Sequence, residues 1–417
     1  IYEVHMLNRD YMYQCMYLYL ATGKRQYADY IRTMLLDYAG KYAGWFEHNS
    51  GRKATDQHSG KAFAQSLDEA NWATKVAMAY MAIKPVLSKE EVKAIEEGYL
   101  QPAATLLLHR PAGANWQMWH NSGLAALGIA LENDSIVDVA INKDKYGYHY
   151  LIGKHKNSDG WINEGSPHYH YYPLEALLFT ANAVKCRGIK LFDKDLHDMF
   201  VEPVKGTYPD LSFPAHSDGW YGANLLSQSA LYEVGNARYN DPFLKRVLEL
   251  TYAQKKRLDP EALLSNQLIK ASEESLLQKS YSFDTSGFCL LRSDTRTVVL
   301  KFGGEGIGHG HPDKLSITIH DGKNELVSDF GTSGYGVPDY LKWYKRTLSH
   351  NTVTVDAKDQ KRSVGKLLKF NPRSDGGYAE AETTTAYPGV RMKRSLDLKG
   401  THLQDVYTCT SDSSHLY

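Results

Sequence analysis

The spacing of hydrophobic residues along the chain is helical from Ile1 to about residue 255. Apolar side chains recur every three or four positions, and short polar segments such as 22–24 and 132–134 separate the runs. Ser88 and Glu91 predict a capping box at one helix start. Roughly ten helices of ordinary length fit before residue 256, which favours antiparallel helical hairpins stacked or wound into a toroid. The first two helices are each predicted to bury one face, formed by Tyr11, Cys15, Leu18 and Tyr19 and by Tyr27, Ile31, Met34, Leu35 and Tyr38.

After residue 280 the hydrophobic runs become short and rich in β-branched residues, which is typical of antiparallel strands. We predict strands over residues 287–292, 295–302, 315–320 and 351–356, with a hairpin turn at 321–324. The fold class predicted is therefore α+β and multidomain. Its parts are a helical domain over 1–255, a linker over 256–280 and an antiparallel β-sandwich over 281–417, truncated at its C-terminal end.

Composition excludes few classes of function. The 48 basic and 48 acidic residues cancel, so global charge favours neither a nucleic-acid nor a membrane-surface partner. The four cysteines lie far apart without C-x-x-C spacing, which indicates isolated thiols. The chain starts inside a helical pattern with no visible signal peptide and ends without a capping element. We therefore expect a fragment or a chain processed at both ends.

The segment 159–172 concentrates polar aromatic chemistry at the centre of the chain. Its fourteen residues include two carboxylates, two histidines, three tyrosines and a tryptophan. Segments 115–123 and 308–314 are predicted to face it and line one cleft with it. Any single aromatic residue is more often part of the hydrophobic core than of a functional site. As a set, however, His120, Asn121 and a tyrosine beside an acidic sugar could perform β-elimination. We predict that His120 and Asn121 sit where a helix begins, at a position that favours anions.

The segment 309–313, His-Gly-His-Pro-Asp, is open to three interpretations. It could be a polar turn before a strand, or part of a three-ligand zinc site completed by Asp329 and His350. It could also open a metallo-hydrolase site built on His309, His311 and Asp313, although Lys314 stands where such a site needs another histidine.

Two basic features complete the candidates. A run of lysines and arginines between 342 and 369 is either a solvated face or a surface that attracts an anionic polymer. Arg9 is either in a surface salt bridge or in a clamp for a carboxylate.

These segments together resemble the heparinase II/III-like polysaccharide lyases, and most closely the branch of exolytic alginate lyases and exolytic heparinases. The motifs that carry the resemblance lie at 7–9, 20–23, 115–121, 164–172, 309–314, 329–336 and 346–352. The resemblance implies an incomplete (α/α) toroid followed by an antiparallel β-sandwich. It also implies β-elimination of a 4-linked uronic-acid polymer and a periplasmic or secreted bacterial protein.

The resemblance also implies roles for individual residues. His120 corresponds to a base or carboxylate neutraliser, Tyr172 to the catalytic tyrosine, and His309 to a histidine that meets the substrate carboxylate; Tyr169 and Tyr171 remain alternatives to Tyr172. A structural Zn²⁺ would be held by His311, Asp329 and His350, and no organic cofactor is implied. The predicted substrate-binding residues are Arg9, Asn115, Trp116, Gln117, Asn121, Glu164, Tyr169, Tyr171, Tyr335 and Arg346, with Tyr340 and Tyr344 competing for the place given to Tyr335.

The leading hypothesis is thus an exolytic lyase acting on an acidic uronate polysaccharide. The lysines of 342–369 favour heparin or heparan sulfate, with an exolytic oligoalginate lyase as the alternative. From other classes, a metal-dependent hydrolase would lose activity on chelation, and a non-catalytic glycan-binding protein would release no product.

Overall fold

The computed structural model describes residues 1–50, 58–264, 267–272, 276, 279–304 and 308–417. Within these ranges, α-helices precede all of the strands. The helices are α1 (Tyr2–Thr22), α2 (Arg25–Ala39), α3 (Ser66–Ile83), α4 (Lys89–Ile95), α5 (Gln101–Leu108), α6 (Ala114–Ala130), α7 (Asp134–Asn142), α8 (Tyr148–His155), α9 (His168–Val184), α10 (Lys194–Val204), α11 (Ser229–Tyr239) and α12 (Pro242–Gln254). The strands are β1 (Tyr281–Phe283), β2 (Phe288–Arg292), β3 (Thr297–Lys301), β4 (Ser316–His320), β5 (Glu325–Val327), β6 (Lys366–Arg373), β7 (Gly376–Tyr387), β8 (Val390–Lys399) and β9 (His402–Ser411).

Local sequence signals explain several of the helix ends. Ser88 accepts a hydrogen bond from the Glu91 backbone at 3.2 Å, and the Glu91 carboxylate accepts one from the Ser88 backbone at 2.8 Å. The predicted capping box is therefore confirmed. Gly23 ends α1 with φ of +65°, a conformation that glycine adopts without a steric penalty. None of the described helices is both long enough and apolar enough to cross a membrane.

The buried face of α1 differs from the predicted one. Its buried residues are Met12, Tyr13, Met16 and Tyr17, whereas Tyr11 is 52% exposed. The helix carries apolar side chains on more than one side, so periodicity alone does not choose between them. Packing of α1 against α2 and α3 makes the choice. The face predicted for α2 agrees better with the structure, because Ile31, Leu35 and Tyr38 are buried.

Helix α6 begins earlier than predicted. It starts at Ala114, so His120 and Asn121 lie in its second turn and are buried, and the prediction that they mark a helix start is wrong. The small residues that suggested a start serve close helix packing instead. A Cβ atom on Gly123 would lie 2.8 Å from the Leu107 side chain.

Two antiparallel sheets form the C-terminal part. The first has the order β1-β2-β3-β4-β5 and the second the order β6-β7-β8-β9. Leu291 and Leu300 of the first sheet share one buried apolar core with Ala381, Met392 and Leu396 of the second. The two sheets therefore pack as a sandwich.

The predicted strands agree with β2, β3 and β4 to within one or two residues at each end. The hairpin turn at 321–324 is confirmed, because the Asp321 backbone N–H donates to Asn324 O at 3.0 Å. The strand predicted over 351–356 is wrong. Its Asn351 side chain donates to the carbonyls of Ile317 and Ser328 at 2.9 and 2.8 Å, so the segment is held by side-chain bonds and not by a strand ladder.

The chain divides into two compact units. Unit 1 comprises Ile1–Lys154, Tyr172–Leu196 and Leu258–Asn266, and unit 2 comprises His155–Tyr171, His197–Arg257 and Gln267–Tyr417. The division passes through α9, between Tyr171 and Tyr172. The boundaries at 255 and 280 that the sequence suggested stay a prediction.

Candidate active site

Asp218 lies at the centre of a group of hydrogen-bonding rings in unit 2. Its buried carboxylate accepts hydrogen bonds from His309 Nδ1 at 3.0 Å and from His311 Nε2 at 2.9 Å. The hydroxyls of Tyr335 and Tyr340 each donate to Asp218 Oδ2 at 2.9 Å. We call this group the Asp218 cluster; its members are Tyr169, Asp218, His309, His311, Tyr335 and Tyr340.

The pKa of Asp218 lies well below the usual range of a carboxyl group. Burial would raise it, but the hydrogen bonds from His309 and His311, together with nearby positive charge, outweigh burial. Part of that charge is Lys345, whose Nζ is 4.0 Å from Asp218 Oδ2. The carboxylate is therefore ionised at neutral pH and can only accept hydrogen bonds. It can accept a proton-bearing His309 Nδ1 as donor, and in that tautomer the lone pair lies on Nε2.

Tyr169 stacks on His309, with ring centroids 3.6 Å apart and planes inclined by 15°. The hydroxyls of Tyr169 and Tyr335 share a hydrogen bond of 2.5 Å. Burial raises the pKa of Tyr169 to about 12; the bond with Tyr335 opposes this rise, and the charges of Asp218 and Glu164 add to it. Burial and the bond with Tyr169 also raise the pKa of Tyr335. Both phenols are therefore protonated at neutral pH and can donate a proton.

Backbone contacts between loops hold these rings in place. The Asp218 N–H donates to His309 O at 3.0 Å, and the Thr332 N–H donates to Gly219 O at 3.0 Å. Gly331 has φ of +59°, and a Cβ atom there would lie 1.9 Å from Gly219 O, so only glycine allows the two loops to meet this closely. The segment 329–336 thereby brings Tyr335 to the segment that carries Asp218.

A second buried group lies in unit 2 and has the composition of a metal site. Potential ligand atoms of Asp313, Asp329 and His350 all lie within 4.8 Å of one another. The predicted ligands were Asp329 and His350 with His311 as the third. In the structure, Asp313 is the third member of the group, and His311 Nε2 is bonded to Asp218.

The donors around this group differ in how well they suit a divalent cation. Asp313 already accepts from Lys301 Nζ at 2.5 Å and Lys314 Nζ at 3.2 Å, so two ammonium groups neutralise it. His311 Nδ1 and His350 Nε2 are buried and have no hydrogen-bond partner among the described residues, and their ring centroids are 5.2 Å apart. Two buried imidazole nitrogens beside a carboxylate are a donor set that fits zinc.

The remaining predicted catalytic residues, His120 and Tyr172, lie in unit 1. Burial lowers the pKa of His120 to about 4, although hydrogen bonds with the backbone of Arg110 and Ser66 oppose the shift. The Tyr172 ring packs on Trp119 with centroids 5.1 Å apart. Burial, followed by the charges of Asp68 and Glu175, raises the pKa of Tyr172.

Among the predicted substrate-binding residues of unit 1, several are engaged within the protein. Gln117 donates to Asn121 Oδ1 at 2.9 Å, and Asn121 donates to Tyr146 O at 2.6 Å. Arg9 pairs with Asp10 at 2.7 Å and also donates to Asn71. Asn115 is buried, and the Trp116 ring contacts His58 at 4.8 Å.

The other predicted residues of unit 2 are one neighbour of the Asp218 cluster and two residues that are bonded elsewhere. Glu164 is buried, with Oε2 3.8 Å from His309 Nε2. Tyr171 is buried and bonds to the Tyr232 hydroxyl at 3.2 Å, as expected for a core residue. Arg346 donates to Asp359 Oδ2 at 2.5 Å and is thus held in a surface ion pair.

Sequence reasoning missed Asp218, the residue that joins the cluster. The signal present in the sequence was the segment 216–220, His-Ser-Asp-Gly-Trp, which combines an acid, an imidazole and an indole much as 159–172 does. Lys345 and Tyr340 were noted only as part of the basic run and as a competitor for Tyr335.

Two family models match this chain. Residues 4–200 match the family described as alginate lyase, and residues 276–406 match the family described as heparinase II/III-like, C-terminal. The chain carries these two regions in that order, so the resemblance to heparinase II/III-like polysaccharide lyases inferred from its motifs is confirmed.

Individual relatives come from both branches. An alginate lyase of Stenotrophomonas maltophilia (strain K279a) is 30% identical over 94% of this chain and 58% of its own length. An exo-oligoalginate lyase of Saccharophagus degradans is 26% identical, over 95% of this chain and 59% of its own length. A heparin-sulfate lyase of Bacteroides stercoris is 26% identical over 57% of this chain and 35% of its own length. The chain thus spans at most 59% of the length of these relatives.

Solved structures with the same architecture include heparinase III, with a TM-score of 0.70 and 15% identity over 98% of this chain and 63% of that one. The heparan sulfate lyase HepC from Pedobacter heparinus has a TM-score of 0.66 and 18% identity over 98% of this chain and 62% of that one. At such identities the likeness concerns the fold. It confirms the predicted fold class, a helical (α/α) part followed by an antiparallel β-sandwich.

Proposed function

We propose that this protein is a polysaccharide lyase that cleaves 4-linked uronic-acid glycans by β-elimination. The observation that carries the proposal is the Asp218 cluster, in which a protonated phenol stacks on an imidazole held by an ionised carboxylate. Elimination requires a base and an acid close together, and an imidazole and a phenol supply them without a cofactor.

The reaction has one proton to remove and one to supply. A base takes the proton from C5 of the uronate, next to its carboxylate. The C4–O4 bond then breaks with its electron pair remaining on O4, which takes a proton from the acid, and a double bond forms between C4 and C5. The products are an unsaturated uronate at a new non-reducing end and a sugar with a free hydroxyl.

We assign the base to His309 and the acid to Tyr169. The carboxylate of Asp218 holds the proton of His309 on Nδ1, so Nε2 is the nitrogen available to accept the C5 proton. Tyr169, with its raised pKa, is protonated and suited to donate a proton to the leaving oxygen O4. The Tyr335 hydroxyl, 2.5 Å from that of Tyr169, can return a proton after each turnover. The roles that the resemblance gave to Tyr172 and His120 stay predictions.

The substrate carboxylate must be neutralised before C5 becomes acidic enough to lose its proton. Lys345 lies beside the Asp218 cluster, with Nζ 4.0 Å from Asp218 Oδ2 and bonded to Gly308 O at 3.0 Å, one residue from His309. We assign it this neutralising role. Arg9, proposed from the resemblance for the same role, is paired with Asp10 in this structure.

We propose alginate ahead of heparin or heparan sulfate as the substrate. The relatives that match more than nine tenths of this chain are named alginate lyases, whereas the heparin-sulfate lyase matches 57% of it. The basic run that favoured a sulfated glycan is divided in the structure. Arg346 pairs with Asp359, and Lys366 and Lys369 lie on β6, an edge strand, where lysines deter unwanted strand pairing.

Two finer properties follow from relatives alone. One relative is named an exo-oligoalginate lyase, and we propose exolytic action here on that ground. A periplasmic or secreted location is proposed from the resemblance to bacterial polysaccharide lyases.

We propose Zn²⁺ as a structural ion, held by Asp329, His350 and His311, with Asp313 beside them. When bound, the ion would supply positive charge that ties the segments 309–313, 329–336 and 346–352 together. Elimination needs no Lewis acid when protein groups neutralise the carboxylate, so the ion has no step in the reaction. Metal analysis of the purified protein tests this, since about one zinc per chain is expected and Asp329→Asn should lower that content.

The experiment that tests the function is incubation with alginate, heparan sulfate and hyaluronan separately, with ultraviolet absorbance and product mass as readouts. Growth of the unsaturated-uronate absorbance on alginate is expected, with products lighter than hydrolysis products by one water. Saturated products that disappear on chelation would favour the metal-dependent hydrolase. Binding without any product over hours would indicate a glycan-binding protein.

A further inference from the structure

Several large rings of unit 2 are exposed on two adjoining loops. Trp220 is 42% exposed and Tyr221 63%, while Phe330 and Tyr335 are 52% and 55% exposed. Scattered single exposed rings need no explanation, but several on adjoining loops mark a binding surface. Tyr335 already belongs to the Asp218 cluster, so this surface begins at the candidate active site.

The two loops hold their rings rigidly. The backbone bond from Thr332 to Gly219 and the close approach of Gly331 to Gly219 O lock the loops together next to Trp220. A Cβ atom on Gly334 would lie 3.0 Å from the edge of the Trp220 indole, so the absence of a side chain at Gly334 makes room for that ring. A ring fixed in this way loses little conformational entropy on binding a ligand.

Trp220 connects to the reacting pair through ring contacts. Its indole lies 6.4 Å from the His168 ring, which lies 5.0 Å from the Tyr169 ring, centroid to centroid. Tyr169 in turn stacks on His309. One imidazole therefore lies between Trp220 and the residue assigned as the acid.

We infer that Trp220 is the platform of a sugar-binding subsite that stacks against the pyranose ring next to the uronate being cleaved. This inference rests on the proposed function for the reaction it assists. The C–H face of a pyranose is apolar, and an indole offers a large flat apolar surface with a polar edge. The subsite recognises the shape of the ring and not its charge, so it suits a uronate of either configuration.

The variants Trp220→Ala and Trp220→Phe test the inference, with Trp343→Ala as the matched control. Trp343 is 44% exposed, and in the described part of the chain it makes no ring contact with the Asp218 cluster. For an oligoalginate tetrasaccharide, Trp220→Ala should raise KM about tenfold, equivalent to about 1.4 kcal/mol, with kcat within about twofold. Trp220→Phe should retain most of the affinity, and Trp343→Ala should leave both constants unchanged.

The effect should also depend on substrate length, because a disaccharide has too few sugars to fill both positions. Equal losses for the two tryptophans, or an unchanged KM in Trp220→Ala with an intact circular dichroism spectrum, would overturn the inference while leaving the proposed function standing. If the wild-type protein cleaves no uronate, the proposed function fails by itself. Titration of tryptophan fluorescence with the tetrasaccharide then still tests whether Trp220 binds the sugar. Trp220→Phe must lose the quenching that the wild type and Trp343→Ala show.

Discussion

The Asp218 cluster of unit 2 and the surroundings of His120 in unit 1 contain similar residues in different electrostatic settings. In the cluster, a buried carboxylate accepts from two imidazoles and two phenols, so each ring has a defined orientation. The ring of His120 is hydrogen-bonded to the backbone of Arg110 and Ser66, and these bonds only partly oppose burial, which lowers the pKa of His120 to about 4. A histidine is prepared to act as a base by a carboxylate that orients its ring. A high local number of aromatic residues does not have the same effect.

The same contrast separates two tyrosines three positions apart on α9. Tyr169 shares a proton-donating network with Tyr335 and stacks on His309, whereas Tyr172 packs on Trp119. Burial raises the pKa of both, so a shifted pKa alone does not identify the catalytic phenol. Their ring contacts distinguish them, since Tyr169 stacks on His309 and Tyr172 packs on Trp119.

The largest expected effect comes from Tyr169→Phe. Loss of the phenol that protonates O4 should lower kcat by about a thousandfold with little change in KM, since proton transfer contributes roughly 10²- to 10⁴-fold. Steady-state kinetics on oligoalginate measures it, with Tyr172→Phe as the matched variant. A reversed order, with Tyr172→Phe inactive and Tyr169→Phe active, would restore the assignment that the sequence resemblance favoured.

Asp218→Asn should lower kcat by about a hundredfold. An amide can donate to His309 Nδ1, which would place the proton on Nε2 and remove the base without removing the ring. KM should change little, and Asp359→Asn, which alters a surface carboxylate of the same unit, should have no effect on either constant. If the loss of kcat were matched by an equal loss of folded protein, measured by circular dichroism, Asp218 would be a folding residue only.

The setting of His120 predicts a dependence of stability on pH. Its pKa is lowered from 6.5 to about 4. Between these pH values, His120 is protonated in the unfolded chain and unprotonated in the folded protein. Stability from this group is complete above pH 6.5 and falls as the pH is lowered towards 4, by on the order of 3 kcal/mol. Denaturant titrations of His120→Gln should show a correspondingly smaller loss between pH 7 and pH 4. His109→Gln, which changes an exposed histidine, should retain the wild-type slope.

The smallest effect is expected from Tyr171→Phe. Tyr171 bonds to the Tyr232 hydroxyl, which keeps its own bond to Phe200 O at 2.8 Å after the change. The free energy of unfolding should therefore fall by about 1 kcal/mol or less, and kcat should not change. A large loss of activity in this variant would show that Tyr171, which is buried in the core, is the catalytic phenol.

Local signals made much of the fold predictable. Short-range chemistry determines the capping box at Ser88, the hairpin at 321–324 and the strands β2 to β4, and each was found from sequence. The buried face of α1 was not, because the helix is apolar on several sides and its neighbours decide which side is covered. The segment 351–356 looked like a strand by composition, yet the Asn351 side chain takes the hydrogen bonds that a neighbouring strand would have supplied.

The candidate site was predictable in its parts and not in its assembly. Tyr169, His309 and Tyr335 each stood out as polar aromatic residues in distinctive segments. Asp218 did not, since its importance comes from contacts with residues more than ninety positions away. The sequence also could not show that Lys301 and Lys314 both contact Asp313, because this depends on how the strand ending at Lys301 meets the loop before β4. The prediction that segments 115–123, 159–172 and 308–314 line one cleft stays a prediction.

The fate of the hydrogen at C5 tests the central claim most directly. An oligoalginate carrying deuterium at C5 of its uronates should be cleaved more slowly than the unlabelled substrate. Mass spectrometry should find the unsaturated product without that deuterium and without an added water. A product that keeps the label at C5 and gains the mass of water would contradict β-elimination by this protein.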